Sequence, residues 1–135
     1  MLKSDDTGKL ILRLTLGVLI LLHGLHKVTS GVGGISSMLA QNNLPGFLAY
    51  FVYIGEVVAP ILLIMGIYTR LGGLLIAGNM VVAILLAHRG SMFSMIGGTG
   101  GWALELQGMF LFTGLAIAML GAGRFSLSGS GGRWN

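Results

Sequence analysis

A short polar run, His-Gly-Leu-His-Lys from His23 to Lys27, follows a stretch of almost unbroken apolar residues. At about 100° per residue, His23, His26 and Lys27 share roughly one third of the helix circumference, because residues three and four positions apart lie on one face. Imidazole and ammonium groups form hydrogen bonds and exchange protons. We therefore predict that this face meets other polar groups inside the fold.

The composition is that of an integral membrane protein. Of 135 residues, 54% are hydrophobic and 9% charged, and the mean hydropathy is +0.88. The net charge of +4 comes from basic residues scattered between apolar segments, which predicts a lipid bilayer as partner and no nucleic acid. Cysteine is absent. This excludes thiolate chemistry and cysteine-ligated clusters, so a redox role needs a carrier from elsewhere and no intrinsic cofactor is predicted.

Four apolar stretches predict an all-α, integral membrane four-helix bundle that forms a single domain over residues 1–135. Some 20 residues at about 1.5 Å each cross roughly 30 Å of hydrocarbon. The predicted spans are residues 10–27, 47–69, 71–88 and 102–122. Because the second and third stretches are nearly contiguous, Thr69-Arg70 is predicted to be the tight turn between them. Gly73 with Ala77 and Gly114 with Ala118 are four residues apart, which favours close helix packing.

The segments outside the spans are predicted from their polarity and spacing. Ile35, Met38 and Leu39 recur at helical spacing before Pro45, which predicts a short interfacial helix after the first span. The Gly/Ser-rich tail, residues 124–135, is predicted to be mobile. A basic start before an apolar segment also fits a signal peptide, but no small-residue cleavage pattern follows it.

The basic residues predict the orientation of the bundle. Four spans place both termini on one side, and the positive-inside rule makes that side cytoplasmic. The terminal side would carry Lys3, Lys9, Arg70, Arg124 and Arg133, with Arg13 just inside, whereas the other side would carry Lys27 and Arg89.

Ionisable residues within the spans are predicted to share one level, in the outer third of the bundle. At 1.5 Å per residue, His23 lies roughly 21 Å above Lys9, and Glu56 lies roughly 21 Å above Arg70. The same count gives roughly 27 to 29 Å for Lys27, His88 and Glu105. Charged groups in a bilayer are costly and usually face partners or water. We therefore predict a polar pocket.

Pro60 strengthens this prediction. A proline inside a helix leaves the carbonyl four residues earlier without its amide partner, and that residue is Glu56. The second span should kink there. The carboxylates of Glu56 and Glu105 can balance Lys27 and Arg89, so the cluster is near neutral overall.

Each polar residue also has a simpler interpretation. Lys27 can extend to the interface, Glu105 can be a solvated acid in the first helical turn, and His88 can belong to a loop edge. A metal site from His23, His26 and Glu56 is disfavoured by the nearby lysine, so no metal is predicted. A haem held by His23 and His88 has no second signature in the sequence.

Four further residues are predicted to be structural. Arg13 positions the first helix or pairs with Asp5, Asp6 or the C-terminal segment, and Asn79 makes an interhelical hydrogen bond. The other two are Pro60 and Arg70.

Several motifs together resemble the DoxX-like family of small membrane proteins. They are Arg13, the His-Gly-x-x-Lys motif ending at Lys27, Glu56, the Gly-x-x-Thr-Arg junction Gly66 to Arg70, and the Gly-Ala-Gly-x-x-Ser-Leu tail Gly121 to Leu127. Family members usually have an aspartate after the Ser-Leu, where this chain has Ser128. The ion pair that such an aspartate would make with Arg13 or Arg70 is therefore not expected.

The resemblance implies a multi-pass protein of the bacterial or archaeal cytoplasmic membrane. Relatives include a subunit of thiosulfate:quinone oxidoreductase and membrane partners of redox or stress-defence enzymes. The leading hypothesis is a membrane subunit or partner of a quinone-linked redox system, associated with subunits of an oxidoreductase complex. Its own catalytic activity is left open. The predicted residues that bind a quinone or similar small molecule are His23, His26, Lys27, Glu56, His88 and Glu105.

Two other classes of function compete with this hypothesis. In the first, the chain is a non-catalytic structural or assembly protein, and its polar cluster only locks the helix bundle. In the second, it is a small transporter, which would need a homo-oligomer because four short spans are few for a pathway.

Overall fold

The structure, a computed structural model, describes residues 4–129 and 131–135. Lys3, which the orientation argument counts, and position 130 of the tail lie outside this range. The described part is all-helical, as predicted, and contains no β-strand beyond one isolated bridge between Met95 and Trp102. Its α-helices are α1 (Asp5–Ser30), α2 (Gly33–Gln41), α3 (Ala59–Met65), α4 (Thr69–Ala87) and α5 (Glu105–Leu120).

Within the described residues, three helical segments are long and apolar enough to cross a membrane. They are Asp5–Ser30, Gly46–Met65 and Thr69–Ala87. The fourth predicted span is a shorter apolar helix, α5, which begins at Glu105 and not at Trp102. Trp102 belongs to the preceding loop, because its indole Nε1 donates to the Met92 carbonyl at 2.8 Å.

The second membrane-length segment changes its helical pitch along its length. It starts as a 3₁₀-helix, Gly46–Phe51, continues as a π-helical turn, Ile54–Val58, and ends as α3. In the π-turn the N–H of Ala59 donates to the carbonyl of Ile54, five residues earlier. This irregularity directly precedes Pro60, which cannot donate a helical hydrogen bond.

The turn between α3 and α4 lies at residues 66–68, not at Thr69-Arg70. Gly66 has φ 75° and accepts the left-handed conformation that ends α3, and Tyr68 has φ 48°. Thr69 and Arg70 instead form the first turn of α4. The prediction failed because it followed the apolar pattern and overlooked glycine as the helix terminator.

Small residues bring the helices together. A Cβ on Gly73 of α4 would lie 2.6 Å from the Gly114 carbonyl oxygen of α5 and 2.9 Å from the Ala118 amide nitrogen. The close approach predicted from these spacings is therefore present between α4 and α5. The core is apolar and consists of Leu16, Ile20, Ala59, Leu63, Ile76, Met80, Phe110 and Ile117.

The short helix α2 covers the end of the bundle opposite the termini. Val32 and Leu39 are buried against Ala49 of the 3₁₀-helix, and Leu86 near the end of α4 packs on the same cluster. A helix was predicted at this position, and α2 ends four residues before Pro45.

The tail that was predicted to be mobile makes hydrogen bonds to the bundle. The Leu127 N–H donates to the Met65 carbonyl at 3.0 Å, and the Arg70 N–H donates to the Trp134 carbonyl at 2.9 Å. Asp6 and Arg124 form an ion pair of 3.4 Å, which joins the start of α1 to the tail. The two ends of the described chain thus meet at one end of the bundle.

Candidate functional site

A cavity of about 1050 Å³ lies at the end of the bundle opposite the termini. It is bounded by α1, α2, the segment 46–56, α4 and the start of α5. Its walls are mostly apolar, and its polar lining consists of His23, Lys27, Asn42, Glu56, Asn79, His88, Arg89 and Gln107. Its volume is at the upper end of the range for small-molecule sites, about 300–1000 Å³.

A partly buried ion pair contributes polar groups to the lining of this cavity. Lys27 Nζ donates to Glu56 Oε2 at 2.5 Å, and Asn79 Nδ2 donates to Glu56 Oε1 at 3.1 Å. Glu56 is only 4% exposed. One carboxylate therefore connects three helical segments, and both of its oxygens accept a hydrogen bond. Asn79 makes the interhelical hydrogen bond that the sequence predicts.

Two glycines allow the helices to approach Glu56. A Cβ on Gly24 of α1 would overlap the Glu56 backbone carbonyl, which a regular α-helix would pair with position 60, where proline has no N–H. A Cβ on Gly55 would lie 2.5 Å from Cβ of Asn79 in α4. The π-turn and these two glycines hold the carboxylate between α1 and α4.

Two histidines stand on other walls of the cavity. The His23 ring contacts Phe110 of α5 edge to face, with the centroids 5.9 Å apart. His88, directly after α4, lies 3.5 Å from Gln107, measured between the two Nε2 atoms. Tyr53 donates its hydroxyl to the Lys27 carbonyl at 3.2 Å and so supports the end of α1.

Two of the six predicted binding residues lie away from the cavity. His26 is exposed, because the cavity-facing stripe of α1 runs through Ile20, His23 and Lys27, and His26 lies on the other side of His23. Glu105 is exposed in the first turn of α5, with its carboxylate beside Gly101. The predicted height of Glu105 did not indicate whether its side chain faces the cavity, because height along a helix does not determine the direction of a side chain.

Gln107, like Asn42, is a polar residue of the cavity that was not predicted from the sequence. It lies two residues after Glu105, which turns it about 200° around α5 and toward His88. Its amide is uncharged, so a search for titratable groups passes over it. A search for all polar residues in the apolar segments would have included it.

The arginines predicted to be structural lie at the terminal end. Arg13 is 1% exposed and donates from Nη2 to the Phe125 carbonyl at 2.5 Å. Its Nε and Nη1 have no hydrogen-bond partner among the described residues. Arg70 Nη1 donates to the carbonyls of Ala118 and Met119, at 2.9 and 2.6 Å. The two side chains thus hold the end of α5 and the segment that follows it.

The cavity can receive a small molecule that has a polar edge and an apolar body. Ammonium, amide and imidazole groups donate hydrogen bonds, the carboxylate and imidazole accept them, and the apolar walls enclose a ring or chain. The apolar helices and this cavity define the class: a helical membrane protein with a mostly apolar, ligand-sized cavity at one end.

The comparisons with known proteins identify the family. The DoxX family model matches residues 8–89, and the chain belongs to this family. CatD of Bacillus subtilis (strain 168), whose name describes it as a presumed oxidoreductase, is 30% identical over 120 residues, which is 89% of this chain and 84% of CatD. No solved structure gives a significant match. The resemblance seen in the sequence motifs is thereby confirmed.

Proposed function

We propose that this DoxX protein is the membrane subunit or partner of a quinone-linked redox system, and that its cavity binds a quinone or a comparable small molecule. The observation that carries the proposal is the Lys27–Glu56–Asn79 cluster in the lining of a cavity of about 1050 Å³. Buried charge within apolar helices is costly and typically marks a functional site. The relative's description as an oxidoreductase supports a redox role.

The residues at the cavity fit a quinone head group. Quinone oxygens accept hydrogen bonds, which Lys27, Asn79 and the imidazoles of His23 and His88 can donate. The reduced head group has hydroxyl groups, for which Glu56 and the imidazoles are acceptors and candidate proton carriers. A bound quinone would supply the electron-carrying chemistry, since the sequence contains no cysteine that could do so.

The membrane arrangement that we propose has four spans in one domain. Helix α5 would be the fourth span, α2 would lie in the interface, and the terminal end with Arg70 and Arg124 would face the cytoplasm of a bacterial or archaeal cell. In this orientation the cavity lies in the outer half of the membrane.

A binding experiment tests the function. The protein is purified in lipid nanodiscs, co-extracted quinones are identified by mass spectrometry, and thermal stability is measured with added ubiquinone and menaquinone. We expect a stabilising shift, because a ligand that binds only the folded state raises the unfolding temperature. The shift should decrease in His23→Leu, which removes a cavity donor without breaking the ion pair. No co-extracted quinone and no shift would reject the proposal.

A second candidate function is a structural or assembly protein. The observation that favours it is that both Glu56 oxygens already accept hydrogen bonds from within the fold. Such a cluster can lock three segments together without any ligand.

Replacing His23 by Leu and Glu56 by Gln together separates the two functions. If a partner complex and its activity survive this double change, the cluster serves only the bundle. If the complex assembles but quinone-linked activity is lost, the cavity has the proposed role.

A further inference from the structure

The cavity has an apolar rim on the outer surface of the bundle. Phe51 and Ile54 of the segment 46–56, and Leu74 and Val82 of α4, line the cavity and are also between 40% and 56% exposed. A residue that both lines a cavity and is exposed lies where the cavity opens. This rim belongs to two helical segments of membrane length, so its exposed faces are those that lipid chains contact.

Apolar side chains cover part of the cavity at its end toward the loops. Ile35, Met38 and Leu39 of α2 line the cavity there, and Leu39 is buried against Ala49. Asn42 and Arg89, both polar and exposed, line the same end, so the cavity is open to water there and to the bilayer at the rim. This arrangement suits a molecule with a polar head and an apolar chain.

Helix α4 lines the cavity with two adjacent stripes of residues, one half-buried and one exposed. Leu75, Asn79, Ala83 and Leu86 form a half-buried stripe that lines the cavity. Leu74, Gly78, Val82 and Leu85 form the adjacent exposed stripe, which also lines it. Asn79, which contacts Glu56, is thus the polar point on an otherwise apolar wall that continues to the outer surface.

We infer that the site takes a membrane-dissolved amphiphile with a single apolar chain, which enters sideways through the rim. Its polar head lies at Lys27, Glu56 and Asn79, and its chain leaves the cavity past Ile54 and Val82. This inference deepens the proposed function and rests on it, because it specifies which quinone-like molecules bind and from which phase.

Two probes with the same head and different chains test the inference. Decylubiquinone carries a ten-carbon chain, and ubiquinone-0 carries none. Dissociation constants are measured for both in the same nanodiscs, for wild type, Val82→Trp and Val81→Trp. Val81 is the matched control, since it is 44% exposed, close to the 52% of Val82, and does not line the cavity. Comparing each variant with wild type for one probe cancels the partitioning of that probe into lipid.

We expect Val82→Trp to weaken decylubiquinone binding by about tenfold, because the larger side chain crowds the chain at the rim, and ubiquinone-0 binding by less than about twofold. Val81→Trp should leave both within about twofold. If Val82→Trp does not fold, Ile54→Trp replaces it, with Val58→Trp on the same segment as the control. Val58 is 48% exposed and does not line the cavity.

Other outcomes overturn the inference in distinguishable ways. If the rim substitution weakens both probes equally, or neither, the chain does not leave through the rim, and the proposed quinone function stands without it. If neither probe binds the wild-type protein, the proposed function fails and the inference fails with it.

Discussion

The Cα of Gly24 packs against the backbone carbonyl of Glu56, so that α1 touches the second membrane-length segment where Pro60 interrupts its hydrogen bonding. A side chain on Gly24 would overlap this carbonyl. The contact therefore fixes the distance between Lys27, one turn further along α1, and the Glu56 carboxylate.

Gly24→Ala should destabilise the protein by about 1–3 kcal/mol, because the added methyl group forces two backbones apart. The measurement is the free energy of unfolding in a mild detergent titrated with a denaturing one. Gly8→Ala is the control in the same helix, since a Cβ there meets no atom within 4 Å from the other described parts of the chain. It should stabilise the helix by up to about 1 kcal/mol. Equal effects at the two positions would show that the packing against Glu56 is not tight.

Glu56→Gln should cost about 2 kcal/mol, because it leaves the Lys27 ammonium without its counter-charge. The value is below that of a fully buried pair, since the Lys27 side chain is 28% exposed. Lys27→Met should rescue part of the loss in the double variant, and the coupling energy from the four proteins measures the ion pair. If the stability losses of the two single variants simply add in the double variant, the Lys27–Glu56 contact does not contribute to stability.

Ser126→Asp should stabilise the protein by about 1–2 kcal/mol, by giving the buried Arg13 guanidinium a charged acceptor. Ser126 Cβ and Arg13 Nη1 both lie against Gly66. Nη1 has no hydrogen-bond partner among the described residues. Thermal unfolding should show that the gain disappears in an Arg13→Met background. Ser128→Asp, at an exposed position, is the comparison and should change stability less.

Asn135→Ala should loosen the tail. Asn135 Oδ1 accepts hydrogen bonds from the Thr69 backbone N–H at 3.1 Å and from its hydroxyl at 2.9 Å, and Thr69 is fully buried. Losing the acceptor should cost about 1–2 kcal/mol. Hydrogen exchange is the measurement: the Leu127 amide should be protected in wild type and exchange faster in the variant. Fast exchange at Leu127 in the wild-type protein would instead support the mobile tail predicted from its composition.

The absence of cysteine makes the orientation directly measurable. Single cysteines introduced as Asn43→Cys near the cavity end and Ser128→Cys in the tail can be labelled in intact cells with a membrane-impermeant maleimide. We expect labelling at position 43 alone, because the basic terminal end should be cytoplasmic. Labelling at position 128 alone would reverse the orientation.

The sequence predicted those features that follow from composition and from single residues. The length of the apolar stretches predicted membrane-length helices. Pro60 predicted an irregularity in the second span, where the π-turn occurs. Counting residues along the helices predicted that Lys27 and Glu56 both lie in the outer third of the bundle, because rise per residue is nearly constant, and the two residues form an ion pair.

Features that depend on rotation and on distant contacts could not be predicted in this way. The direction of Gln107 into the cavity depends on how α5 packs against α4 through Gly114 and Gly73. Likewise, Thr69 looks like a turn residue, yet its N–H and hydroxyl are satisfied by Asn135, 66 positions away. The sequence around Thr69 gives no indication that Asn135 is its hydrogen-bond partner.

The π-helical turn at Ile54–Val58 has a consequence for how sequence changes in this segment are interpreted. Each turn with one extra residue rotates everything before it by about 100° relative to an α-helix of constant pitch. A helical wheel drawn from Met65 back to Gly46 therefore assigns the wrong faces to one half of the segment. Because the π-turn absorbs one extra residue, deleting a single residue between positions 54 and 58 should restore a regular α-helix and leave Phe51 and Val52 facing as they do now. The same deletion inside α3 has no such turn to absorb it and should rotate both residues by about 100°.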